Sequence, residues 1–142
     1  MEEIVKGDVV VLPFPYSDLS SSKKRPALVI ATLQGDDIIL CQITSRQIYE
    51  NYVIDLADSD FKQGKLNVDS YIRANRIFTA DKSIILYKIG SIRDKKINEV
   101  IEELKKTYPG KKIILNDKNN LLEILCEVDP PSKHPAYSVA VS

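Results

Sequence analysis

A mainly β domain carrying a single helix near its C-terminal end is the fold this chain predicts, and three observations predict it. Two runs rich in apolar and β-branched residues, Lys23 to Ala31 and Asp37 to Ser45, flank Gln34-Gly35-Asp36, where Gly35 can supply the positive φ of a tight turn. Further short runs have strand length and strand composition. Only one stretch, through Ile97, Val100, Ile101 and Leu104, has the i, i+3, i+4, i+7 spacing of an amphipathic helix.

Taken in order, Ile4 to Leu12 reads as the first strand, with a bend at Gly7-Asp8 and both faces of Val9-Val10-Val11-Leu12 at least partly covered. Pro13-Phe14-Pro15 stops it, because proline cannot donate to a ladder. Tyr16 to Ser22 then reads as an exposed, flexible loop that leads into Lys23-Lys24-Arg25. After the hairpin comes a short strand at Tyr52 to Asp55, and Asp58 to Gly64 reads as a turn or a single helical turn. Strict alternation over Ser70 to Phe78 puts Tyr71, Arg73, Asn75 and Ile77 on one face and Ile72, Ala74, Arg76 and Phe78 on the other. Both faces are then mixed, which suits a strand crossing a polar cleft or a subunit interface, with Ile77 as an interface candidate. Ser83 to Tyr87 reads as another short strand.

The helix opens near Arg93-Asp94 and closes before Tyr108-Pro109-Gly110. Lys112 to Leu115 and Leu121 to Cys126 flank Asn116 to Asn120 and read as strand, turn and strand. The organisation expected is a main domain over 1–107, a hairpin-like extension over 108–128 and a tail over 129–142.

Composition narrows the function classes. At 142 residues the chain can bury one core without disulfides or metal. Lysines and arginines number 20 and so do aspartates and glutamates, so any contact with nucleic acid must be local and cannot come from an overall basic charge. No signal-peptide pattern and no membrane-length apolar run is present, and a cytoplasmic protein is expected. Cys41 and Cys126 sit in apolar runs with no metal-ligand spacing, which predicts reduced, buried thiols, no metal site and no cofactor. The single histidine, His134, lies in the Pro-rich tail, which excludes Ser-His-Asp and Cys-His catalysis on a rigid scaffold.

The chemistry concentrates at the mouth of the hairpin. With a two-residue loop at Gln34-Gly35, Ala27 faces Gln42 and Arg25 faces Thr44. With the loop at Gly35-Asp36, Arg25 faces Arg46 and Thr44 becomes a diagonal neighbour. In either register a guanidinium lies near a hydroxyl, beside two lysines that repel it unless an anion intervenes. A phosphoryl group suits this site, because arginine presents a planar fork and threonine a further donor.

The placed motifs resemble the PemK/MazF family of toxins from toxin-antitoxin systems. The resemblance runs from about Lys6 to Leu104 through Gly7-Asp8-Val9-Val10, Pro13-Phe14-Pro15, Lys24-Arg25-Pro26-Ala27-Leu28-Val29, Gln42-Ile43-Thr44-Ser45, Ser70-Tyr71-Ile72-Arg73, Thr79-Ala80-Asp81-Lys82-Ser83 and Gly90-Ser91-Ile92. It implies a bent, SH3-like β-barrel of the CcdB/MazF type with a helix packed at the end. It also implies a symmetric homodimer, a cognate antitoxin, operator DNA bound as the toxin-antitoxin complex, and metal-independent cleavage of single-stranded RNA. Arg25 and Thr44 match the residues that the family places at the scissile phosphate. Arg73 and Asn75 match a supporting Arg and Asp, and Asn75 departs from that pattern, since an amide does not accept a proton as a carboxylate does. Asp18 is the nearest match to a first-loop acid or base, and Lys24 and Ser45 flank the two principal residues. Tyr16, Phe14 and Tyr49 are candidates for stacking on an unpaired base. Two other classes stay open on the residues: a CcdB-like poison that binds a protein such as gyrase and needs no Arg25, and a non-catalytic module that meets only antitoxin and DNA.

Overall fold

The computed structural model describes residues 3–14, 23–47, 49 and 51–107, together with the backbone of two further strands at 111–116 and 121–126. Seven antiparallel strands form one curled sheet: β1 (Asp8–Pro13), β2 (Lys24–Thr32), β3 (Asp37–Thr44), β4 (Val53–Leu56), β5 (Phe61–Gln63), β6 (Ser70–Asp81) and β7 (Tyr87–Ile92). Their order across the sheet is β4-β6-β3-β2-β1-β7-β5. One helix, α1 (Asp94–Thr107), follows the sheet, and β8 (Lys111–Asn116) and β9 (Leu121–Cys126) then pair with each other as a separate two-stranded sheet. The backbone of β9 lies near β2 and that of β8 near α1. Among the described residues no helix is long and apolar enough to cross a membrane.

Why the sheet has two covered faces follows from its strands. Ile97, Val100, Ile101 and Leu104 form the buried stripe of α1 and pack on Val9, Leu28, Cys41, Ile43, Ile54 and Ile72, which occupy one face of the sheet. Facing the other way are Val10, Leu12, Ala27, Val29, Leu40 and Phe78, covered by Ile4, Phe14 and Ile85. Phe14 meets Phe78 edge-on, with ring centroids 5.1 Å apart and planes at 77°. Each fully buried Leu or Ile on these faces contributes about 1.5–3 kcal/mol.

The N-terminal bend is tied down by its glycine and its aspartate. Gly7, at φ 95°, donates to the Val29 carbonyl at 2.8 Å and accepts from the Ile92 amide at 2.9 Å. A Cβ there would meet Ile97 Cδ1 at 2.7 Å, so the bend also sets how closely α1 approaches. The buried Asp8 carboxylate accepts from the Val5 amide at 2.8 Å and lies 3.4 Å from Lys88 Nζ. At the far edge, a Cβ on Gly90 would stand 2.1 Å from the Gln63 carbonyl oxygen, so only glycine lets β5 cross β7.

Three expectations about local structure are corrected. The hairpin loop has three residues, with the Leu33 amide donating to the Asp37 carbonyl at 2.9 Å, and not two. The register slips by one residue at Ile30, and this bulge restores the Ala27-to-Gln42 pairing that the first of the two registers requires. On β6 the register steps from Ile77, opposite Cys41, to Arg73, opposite Gln42, and Ala74-Asn75-Arg76 form a wide bulge. Alternation therefore changes phase: Ile72, Ala74 and Ile77 all face the helix, while Arg73 and Phe78 share the other face. The helix side of β6 is thus apolar through Ile72, Ala74 and Ile77, and only the other face mixes polar and apolar residues. Ile77 accordingly packs, half-buried, against the helix-side core. Finally, Lys82–Ile84 is a 3-10 turn, capped by the Asp81 carboxylate accepting from the Ser83 amide at 2.8 Å, and the strand begins only at Tyr87.

Candidate RNA-cleaving site at the hairpin mouth

Arg25 and Thr44 stand at the open end of the β2–β3 hairpin. The last paired positions there are Ala27 and Gln42, and Arg25 and Thr44 each lie two residues further out, on the same face of the sheet as that pair. Arg25 is half-buried and lies across from the buried Leu12 on β1, so its stem is walled on that side while the head can turn toward β3. Thr44 is 8% exposed, and its Oγ1 accepts from the Arg46 amide at 3.1 Å. That bond fixes the side chain, and the hydroxyl proton stays available to an oxygen brought in from solvent.

The same face continues across two more strands. Tyr71 on β6 lies opposite Thr44 on one side and opposite Asp55 on β4 on the other. One step inward, Arg73 lies opposite Gln42 and Val53. Arg25, Thr44, Tyr71 and Asp55 thus form one row across the sheet, with Gln42 and Arg73 in the row behind. Two guanidiniums, an amide and two hydroxyls share a face whose other half, toward the Gly35 turn, is filled by Val29, Leu40 and Phe78. Such a face can hold phosphate oxygens at its cationic positions and offer a planar, half-exposed ring to a base.

Residues 5–108 match the family model of the PemK-like, MazF-like toxin of type II toxin-antitoxin systems. The chain belongs to that family. Solved structures agree on the fold. A mycobacterial endoribonuclease, solved in complex with its cognate antitoxin, superposes with a TM-score of 0.60 at 16% identity, over 75% of this chain and 100% of that one. MazF from Deinococcus radiodurans gives 0.58 at 22% identity, over 73% and 94%. The Mycobacterium tuberculosis toxin MazF-mt6 gives 0.56 at 14% identity, over 70% and 93%. No curated protein matches the chain by sequence.

Within this PemK/MazF-family chain the expected site residues fall into three groups. Arg25, Thr44 and Arg73 come together on one face. Lys24 is exposed opposite Pro13, and Ser45 is exposed in the bend that follows β3, so both rim that face and lie outside its rows. Asn75 is carried by the β6 bulge, half-buried, and not at the next place in line with Arg73, contrary to simple two-residue spacing. Asp18 lies outside the described residues, as do Tyr16 and His134.

The stacking candidates separate by exposure. Phe14 is spent in the core against Phe78, which removes it as a base platform, whereas Tyr49 is 90% exposed. Cys41 is fully buried under α1, and burial pushes its thiol up to about 12, so it takes no part in chemistry near neutral pH. The side chain of Cys126 lies outside the described residues. Gln42, Tyr71 and Asp55 were not singled out as site residues from the sequence. Gln42 and Tyr71 each stand in a motif of the resemblance, Gln42-Ile43-Thr44-Ser45 and Ser70-Tyr71-Ile72-Arg73, whereas Asp55 carries no signal.

Proposed function

We propose that this toxin-family chain is an endoribonuclease that cleaves single-stranded RNA at a phosphate held between Arg25 and Thr44, and so inhibits growth. The observation that supports the reading best is their shared position: same face, adjacent strands, at the open end of the hairpin, with Arg25 half-buried beside Leu12. The attacking group is the substrate's own 2′-hydroxyl. Its oxygen forms a bond to phosphorus, the bond to the 5′-oxygen breaks, the attacking group loses its proton and the leaving oxygen gains one. The products are a 2′,3′-cyclic phosphate and a 5′-hydroxyl end, with no protein nucleophile needed.

Arg25 stabilises the charge that builds on the phosphoryl oxygens, and its planar fork suits two of them. Thr44 donates to a phosphoryl or leaving oxygen. Arg73 holds a neighbouring phosphate, Lys24 and Ser45 support the approach of the strand from the rim, and Asn75 binds a base or a sugar hydroxyl. Asp18 is the proposed proton-transfer group from the first loop.

The partners proposed with this activity are a second copy of the chain in a symmetric dimer, a cognate antitoxin protein, and operator DNA bound together with that antitoxin, all in the cytoplasm. The toxin unit is assigned to 1–107, with the 108–128 hairpin as an addition and 129–142 as a tail. Incubation of a long single-stranded RNA with the purified protein and a chelator tests the activity. Discrete fragments from wild type, and none from Arg25→Ala, are expected. Intact RNA would favour a toxin that acts by binding a protein or only its antitoxin.

A further inference from the structure

We infer that Asp55, with Tyr71 between it and Thr44, selects the base next to the scissile phosphate, favouring one that presents an exocyclic amino group. The inference rests on the RNA-cleaving reading above and adds a substrate preference to it. Tyr71 is the direct lateral neighbour of Thr44, and Asp55 is the direct lateral neighbour of Tyr71 on the same face. Strands lie about 4.8 Å apart, so Asp55 sits roughly 10 Å from Thr44, with the tyrosine ring between. A phosphate held at Thr44 therefore has an aromatic surface beside it and a carboxylate beyond.

The chemistry of that order is specific. Tyr71 is half-buried, which holds the ring while leaving part of it open, and an unpaired base of any kind can lie against it. Asp55 is exposed, so its carboxylate faces water when no base is bound. Among the described residues no ion pair or side-chain hydrogen bond engages that carboxylate; only the backbone carbonyl of Asp55 is taken, by Lys96 Nζ at 3.0 Å. An ionised carboxylate only accepts hydrogen bonds. It pairs with the amino group of cytosine, adenine or guanine and repels the carbonyl edge of uracil at the same place. A bland role exists for the same residue, because a charge on the edge strand β4 also discourages sheet-to-sheet association. That role makes no difference to base choice.

Asp55→Asn separates the two. The substitution keeps the size of an exposed side chain and adds a donor, so the fold is retained and uracil becomes acceptable. The ends produced from one long RNA by wild type and by the variant are sequenced under identical conditions. The expected result is a wild-type preference against uracil at one position flanking the cut, relaxed by roughly tenfold in the variant, with the other positions unchanged. Wild-type ends with an identical base profile from the variant overturn the selection by Asp55 and leave the RNA-cleaving reading intact. No ends from wild type overturn both.

Discussion

The two faces of the sheet are built from the same strands to opposite ends. Toward the helix, every inward position from Val9 through Leu28, Cys41, Ile43 and Ile72 is apolar and closed by α1. Toward the other side, apolar filling stops partway along the hairpin, and Arg25, Thr44, Gln42, Tyr71, Arg73 and Asp55 occupy the rest. Sequence alternation within a single strand therefore encodes stability on one face and a polar surface on the other. A folded protein can lose the second without losing the first.

The largest effect expected from breaking that division is on the helix side. Val100→Asp puts an unpaired carboxylate into a fully buried position and should abolish cooperative unfolding near neutral pH, followed by circular dichroism on heating. Retention of a wild-type melting curve would mean that α1 does not cover this face. Next comes Arg25→Ala, which should lower cleavage about 100- to 1000-fold while leaving the melting temperature close to wild type. Lysine at the same position should rescue poorly, because a point charge lacks the bidentate fork. If instead the melting temperature collapses, Arg25 belongs to the structural face.

Thr44→Val is smaller and crosses the boundary between the faces. It should slow cleavage by about tenfold or more and also cost about 1 kcal/mol of stability, since the Arg46 amide loses its acceptor. The smallest effect concerns Cys41. Its folded thiol titrates at about 12 against an ordinary 9.0, so the folded state holds a proton that the unfolded state releases between those values. This contribution to stability is complete below pH 9 and declines as pH rises toward about 12. Cys41→Ala should flatten the alkaline fall in melting temperature, and thiol reagents should modify wild-type Cys41 only on unfolding.

How legible these features were depends on whether they are local. The mouth of the hairpin could be worked out from Gly35 and two strand-like arms, although the three-residue loop and the Ile30 bulge compensate each other in a way that no count along the chain can detect. The phase change on β6 was hidden for the same reason: a period-two reading cannot register the bulge at Ala74-Asn75-Arg76. The strand at Tyr87–Ile92 was obscured by Gly90, a weak strand former that is required there by the crossing of the Gln63 carbonyl. Asp55 carries no motif, and Tyr71 stands in one, Ser70-Tyr71-Ile72-Arg73, that does not mark it as a site residue. They join the site only because β6 lies between β3 and β4, an order set by pairing between residues distant in the chain. The helix, whose signal is a spacing within itself, was found at Asp94–Thr107 as its stripe required.

The proposed mechanism has the polar face cleave RNA through the substrate's 2′-hydroxyl with Arg25 stabilising the transition state. It is tested most directly by the chemistry of the ends. An RNA oligonucleotide cut by wild type is compared with the same oligonucleotide carrying a single 2′-deoxy sugar on the 5′ side of the cut, and products are read by mass spectrometry. Attack by the 2′-hydroxyl gives a 2′,3′-cyclic phosphate and a 5′-hydroxyl from the first and no cleavage at that bond of the second. A 5′-phosphate product, or equal cleavage of the deoxy-substituted strand, would contradict it.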